Sequence, residues 1–179
     1  FILSEATDFA GANKAVELYE KGCSLGSSDS CRWLGQHYEE GLGTEIDTEK
    51  AAHLYEIACR SYNAEGCDKL GVLYSEGRGV KNDITKAIAL FNKACEAKNP
   101  FSCYNLAAIY ELGQGVDIDL KRARSLLSLS CVYGSGRGCF TYGLWQEQGK
   151  GGEAQILDAL NSYGRGCDLQ YGQACINGG

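Results

Sequence analysis

A chain of 179 residues is long enough for one domain or for an array of smaller units, and 17 Lys plus Arg against 23 Asp plus Glu leave it at net −6. That balance excludes nucleic acid and an anionic membrane surface as the main partner, because both call for a basic face. No apolar run reaches the roughly 20 residues that a membrane-spanning helix needs.

Ten cysteines, evenly paired, point to an oxidising compartment, secreted or periplasmic. Phe1 in first place and the lack of any Met fit a processed or trimmed chain. The cysteines fall into five pairs with seven residues between partners: Cys23–Cys31, Cys59–Cys67, Cys95–Cys103, Cys131–Cys139 and Cys167–Cys175. First members of successive pairs stand 36 residues apart. A fixed period of this size signals stacked supersecondary units, a solenoid. The expected organisation is a single solenoid domain over 1–179, with a partial repeat at 1–30, repeats at 31–66, 67–102, 103–138 and 139–174, and a second partial repeat at 175–179.

Residues 1–10 carry no pattern of a first helix, whereas Ala15, Leu18 and Tyr19 open a second helix, helix B. In the complete repeats helix A begins at a cysteine and continues with Leu34, Gly35 and Tyr38, then Leu70, Gly71 and Tyr74, then Leu106, Ala107 and Tyr110. The spacing i, i+3, i+4, i+7 is one face of an α-helix. Paired glycines (Gly41 and Gly43, Gly77 and Gly79, Gly113 and Gly115) predict its stop in the left-handed region. Asp47, Asp83 and Asp119 then predict the N-caps of helix B. Its buried face reads Ala51, Leu54 and Tyr55, then Ala87, Leu90 and Phe91, then Ala123, Leu126 and Leu127. The basic residue before each alanine (Lys50, Lys86, Arg122) reads as a stem lying along the surface. Asn99–Pro100 predicts an N-cap and first helical position. The fourth repeat loses the pattern at Tyr142, Gln146, Gly152 and Ser162. Terminal repeats are atypical because one face meets water, and a segment cut from a longer array would look the same; both readings stay open.

Each cysteine pair joins the end of helix B to the start of the next helix A, where a helix hairpin brings Cα atoms within disulfide reach. Zinc sites favour two to four residues between paired ligands, and a catalytic cysteine would break its pair, so structural disulfides are the reading taken over metal or catalysis.

The segment Leu70 to Cys95, LGVLYSEGRGVKNDITKAIALFNKAC, resembles the Sel1-like repeat. The C-x7-C spacing at a period of 36 is similar to the cysteine-rich branch of that family, typified by the Helicobacter cysteine-rich proteins. The resemblance covers about residues 11–175 and implies an all-α fold: an α/α superhelical solenoid of helix-pair repeats, related to tetratricopeptide repeats, with disulfide-linked helices. It implies adaptor roles in secreted or envelope complexes. For the cysteine-rich branch it also implies penicillin binding and weak β-lactamase activity.

The residues give catalysis no support. No serine has a lysine three residues later, the spacing that serine β-lactamases use. The two histidines, His37 and His53, lie on different helices, where lone histidines serve packing or surface roles. No phosphate-binding or dinucleotide fingerprint occurs, because the glycines close helices. No cofactor and no metal site are expected.

A binding surface is the better expectation, on a concave face lined by helix A. With the first, fourth, fifth and eighth positions buried, the second, third, sixth and tenth look outward. These are Arg32, Trp33, Gln36 and Glu40; Asp68, Lys69, Val72 and Glu76; Tyr104, Asn105, Ala108 and Leu112; and Phe140, Thr141 and Leu144. Tyr104, Leu112, Phe140 and Leu144 would form an apolar interaction patch, unless Phe140 and Leu144 pack on the last repeat. Trp33 reads as a hot spot or as a half-buried edge residue, and Trp145 as core. The expected function is a non-catalytic scaffold that binds a protein or peptide outside the cytoplasm. The alternatives are a binder or weak hydrolase of β-lactams or cell-wall peptides, and a periplasmic inhibitor or immunity protein.

Overall fold

The computed structural model describes residues 2–178, with side chains from residue 11 onward. Every described element is an α-helix, and the chain forms two compact units, Phe1–Leu90 and Phe91–Gly179. The first holds α1 (Ile2–Ser24), α2 (Ser28–Glu40), α3 (Thr48–Arg60) and α4 (Ala64–Glu76). Helix α5 (Ile84–Glu96) carries the chain into the second, which holds α6 (Pro100–Leu112), α7 (Leu120–Val132), α8 (Gly136–Gln148), α9 (Ile156–Asp168) and α10 (Gly172–Asn177). Even-numbered helices are helix A of the repeat and odd-numbered ones helix B. None of the described helices is long and apolar enough to cross a membrane.

Local signals set the boundaries as expected. Asp47, Asp83 and Asp119 accept from the backbone N–H groups of Lys50, Lys86 and Arg122 at 2.9–3.0 Å, and Asn99 caps α6 with Pro100 at its first position. Gly41, Gly77 and Gly113 end helix A with φ between 68° and 72°. The second glycine of the turn answers to packing. A Cβ at Gly79 would overlap the Thr48 carbonyl at the start of α3, and one at Gly151 the Leu120 carbonyl at the start of α7. The turns after α4 and α8 therefore lie on the first turns of α3 and α7.

All five expected disulfides are present, with Cα atoms 4.2–4.9 Å apart. No cysteine is free to hold a metal or act as a nucleophile. In the first unit Tyr55, fully buried, packs with Ala51, Ala52, Leu70 and Leu73. The small residue of helix A makes room for it: the Tyr55 ring occupies the space that a Cβ on Gly35 would need, and Tyr163 does the same at Gly143. The departures of the fourth repeat compensate one another. Gln146 and Ser162 stand where the other repeats have Tyr and Leu, and the Ser162 hydroxyl donates to Gln146 Oε1 at 2.6 Å in the core.

Three expectations need correction. α1 is one helix from Ile2, with no break at residue 10. Its buried face is carried by Val16, Tyr19 and Cys23, with Leu18 63% exposed. In α3 the equivalent Leu54 is covered by Val16 and Leu34, and no described helix covers Leu18 in the same way. Third, the basic residue before each alanine does more than lie along the surface. Lys50, Lys86 and Arg122 sit over the rings of Tyr38, Tyr74 and Tyr110, at 3.9, 5.1 and 4.3 Å from their centroids, a cation–π contact that clips helix B to helix A.

Candidate interaction face

The third position of helix A holds Trp33 in α2, 41% exposed, and half-buried residues in α4, α6 and α8. The Trp33 ring is held in place. The Arg32 guanidinium lies 3.4 Å from its centroid, and the Tyr19 ring of α1 stacks nearly parallel to it at 6.3 Å. Arg32 also reaches Gln36 Oε1 at 3.4 Å, and Gln36 donates to Glu40 at 2.9 Å, so a polar ladder runs along α2 beside the indole. His37 closes the cluster, its ring 5.4 Å from that of Tyr19. Its Nδ1 lies 2.6 Å from the Leu42 carbonyl; a carbonyl only accepts, so the proton is on Nδ1 and the ring helps to close the helix end. His53 is exposed on α3.

The second position is not outward. Arg32 and Asp68 are buried, at 6% and 7% exposure, and Tyr104 and Phe140 are half-buried. At Arg32 and Tyr104 the cause is the next helix A of the same unit, whose first turn lies alongside. Arg32 Nε stands 3.4 Å from Glu65 of α4, an ion pair by distance whose geometry is not that of a hydrogen bond. The Arg137 guanidinium of α8 lies 4.7 Å from the Tyr104 ring centroid. Phe140 packs at 5.9 Å from Tyr163 of α9 and 5.5 Å from Tyr171 at the start of α10. In α2 and α6, position two thus belongs to the seam with the next helix A of the same unit. The signal in the sequence was the residue 33 places on, Glu65 for Arg32 and Arg137 for Tyr104.

Lys69 and Val72 of α4, and Asn105, Ala108 and Leu144 of the second unit, are half-buried. Leu112 is 62% exposed and closes α6 at the end opposite Tyr104. Tyr104 and Leu112 therefore occupy the two ends of one helix, and Phe140 faces α9 and α10. Trp145 is core, 4% exposed.

Two tyrosines of helix B complete the polar geometry. Tyr55 donates to Glu39 at 2.7 Å and Tyr163 to Glu147 at 2.6 Å. Burial, then the carboxylate, hold the Tyr55 hydroxyl far above the ordinary tyrosine range and push that of Tyr163 up to about 12. Both stay protonated as donors. Among the described residues no group of three or more His, Cys, Asp or Glu converges as a metal site would require.

The family described as Sel1 repeat matches residues 11–27, 28–63, 64–99 and 100–131. Three of these segments begin at the first residue of α2, α4 and α6. Among solved structures, the chain is similar to a Helicobacter pylori cysteine-rich protein B at 27% identity and TM-score 0.60, over 74% of this chain and 97% of that one. It is similar at 24% identity and TM-score 0.83 to a protective antigen of uropathogenic Escherichia coli, over 90% of this chain. The chain spans about a third, 35%, of that antigen's length. An immunity protein from Pseudomonas aeruginosa is similar at 23% identity and TM-score 0.62, over 89% of this chain and 59% of its own. No curated protein sequence matches.

Proposed function

The chain belongs to the Sel1 repeat family, and from that premise we propose that it is a non-catalytic scaffold that holds another protein or a peptide on its helix A face. The carrying observation is Trp33: an exposed indole immobilised by Arg32 and Tyr19 beside a polar ladder. A pre-positioned aromatic with polar neighbours is the usual centre of a protein-binding hot spot, because little side-chain entropy remains to be lost on binding. Val72 and Lys69 of α4 extend the face in the first unit. In the second, Asn105, Leu112 and Leu144 carry it, together with the half-buried Tyr104 and Phe140. Five disulfides suit a periplasmic or secreted setting.

An inhibitor or immunity protein would use the same face, and one similar fold is an immunity protein; the identity of the captured partner separates that case. The β-lactam alternative draws on the resemblance alone, and no side-chain geometry favours it.

Capture from an envelope and secreted-protein extract under non-reducing conditions tests the proposal. The native chain is compared with Trp33→Ala and Leu112→Ser baits of equal helicity. A protein held by the native bait and retained at least ten-fold less by Trp33→Ala supports the face. Equal retention by Trp33→Ala removes the indole from the site, and an empty capture by the native bait counts against the scaffold.

A further inference from the structure

Three departures from the repeat pattern meet at one place in the second unit. In α7, Arg124 stands where α1, α3, α5 and α9 have Val16, Ala52, Ile88 and Leu160. In α8, Tyr142 stands where α2, α4 and α6 have Leu34, Leu70 and Leu106. In the turn that follows, Gly152 replaces Thr44, Val80 and Val116. A Cβ at Gly152 would overlap the Arg124 guanidinium, so the glycine leaves the cation its place. Arg124 and Tyr142 line one open groove of about 530 Å³, together with Lys121, Ser125, Ser128 and Leu129. The groove lies wholly within the second unit, on a helix that packs against α6, α8 and α9.

The charge of this groove is not neutralised. Arg124 is only 7% exposed. Its guanidinium donates to the Glu153 carbonyl at 2.9 Å and to Gln155 Oε1 at 2.5 Å, both neutral acceptors. Among the described residues neither Arg124 nor Lys121 forms an ion pair, and no acidic residue lines the groove. A buried cation without a counter-charge is costly. The hydroxyls of Ser128 and Tyr142 likewise have no hydrogen-bond partner among the described residues.

We propose that this groove binds a small molecule through a phosphate monoester group. Such a group carries about −1.5 to −2 charge at pH 7 and three strong acceptor oxygens. It therefore matches both unpaired cations, where a carboxylate would neutralise only one. Lys121, the remaining N–H groups of Arg124 and the hydroxyls of Ser128 and Tyr142 supply donors to those oxygens. Leu129 and the Tyr142 ring give the esterified group an apolar wall. The site is separate from Trp33, which lies in the first unit.

Isothermal titration of the whole, disulfide-bonded chain with phenyl phosphate, at neutral pH and low salt, tests the proposal. The native chain should take up one phenyl phosphate, and phenylacetate should bind at least ten-fold more weakly. Lys121→Gln, at an exposed position, should weaken phenyl phosphate binding at least ten-fold. Arg124→Ile with Gly152→Val restores the apolar pattern of the other repeats, and should abolish binding at unchanged helicity. Inorganic phosphate should bind at least three-fold more weakly than phenyl phosphate, because it leaves the apolar wall unused. No uptake by the native chain, or unchanged affinity in Lys121→Gln, overturns the proposal whether or not the double variant folds. Equal affinity for phenylacetate overturns the phosphate assignment, and equal affinity for inorganic phosphate overturns the monoester.

Discussion

The turns from helix B to the next helix A each hold one residue in the left-handed region: Gly26, Tyr62, Lys98, Gly134 and Gln170, with φ between 61° and 102°. Two are glycine and three are not, although the geometry is shared. A side chain there costs roughly 1–2 kcal/mol, part of which is offset because glycine gains freedom in the unfolded chain. Lys98 is exposed, so Lys98→Gly should raise stability by about 0.5–1 kcal/mol. A urea midpoint that is unchanged or lower would refute this. At this scale the sequence was legible wherever chemistry and geometry coincide, as at Asp47, Asn99 and Gly41. It was silent where tyrosine, lysine and glutamine share a conformation that none of them prefers. Arg32 shows a second limit. Its place on the helix predicts an outward side chain, but the neighbouring helix A, 33 residues away at Glu65, decides its burial.

Between the residue and the unit, the turn after helix A does two jobs. Its first glycine ends the helix, and after α4 and α8 its second lets the turn rest on the first turn of α3 and α7. Gly79 has φ 65° and no room for a Cβ beside the Thr48 carbonyl. Gly79→Ala therefore meets both left-handed strain and a backbone clash, and should cost about 3 kcal/mol or more. Gly26→Ala supplies the comparison, because its φ is also positive but a Cβ there meets nothing within 4 Å; it should cost only about 1 kcal/mol. Equal losses in the two variants, measured by denaturant unfolding, would show that the contact with α3 contributes nothing. Helix stripes and caps were readable because they repeat within one element. The α1 register was not, since its Ala15–Leu18–Tyr19 spacing matches the other B helices and only Val16, packed on Leu34 and Leu54, reveals the rotation. The candidate face was readable at Trp33, on helix period alone. Its Tyr19 and Arg32 supports depend on which helices lie side by side.

At the scale of the molecule the question is how helix pairs of 13-residue helices hold together, since two such helices bury little core by themselves. The bridges answer a large part of it. Each closes a sequence separation of eight residues, worth about 2.5 kcal/mol on the chain-entropy model. Five amount to about 12 kcal/mol, the scale of a whole domain's stability. Complete reduction should therefore unfold the array at 25 °C, not merely loosen it. The order of reduction should follow access, because exchange begins with attack on a sulfur. Cys67, Cys103 and Cys139 are at most 1% exposed, whereas Cys175 is exposed on α10. The Cys167–Cys175 bridge should then open first, with α10 released while most of the helicity persists, and the inner bridges should follow in one cooperative loss. Alkylation at timed points in dithiothreitol, read by mass mapping beside circular dichroism at 222 nm, resolves the sequence. Helicity that survives after all five bridges are alkylated would mean that the Tyr–Gly packing and the cation–π clips between helices suffice, and that the disulfides only guard a fold that stands without them.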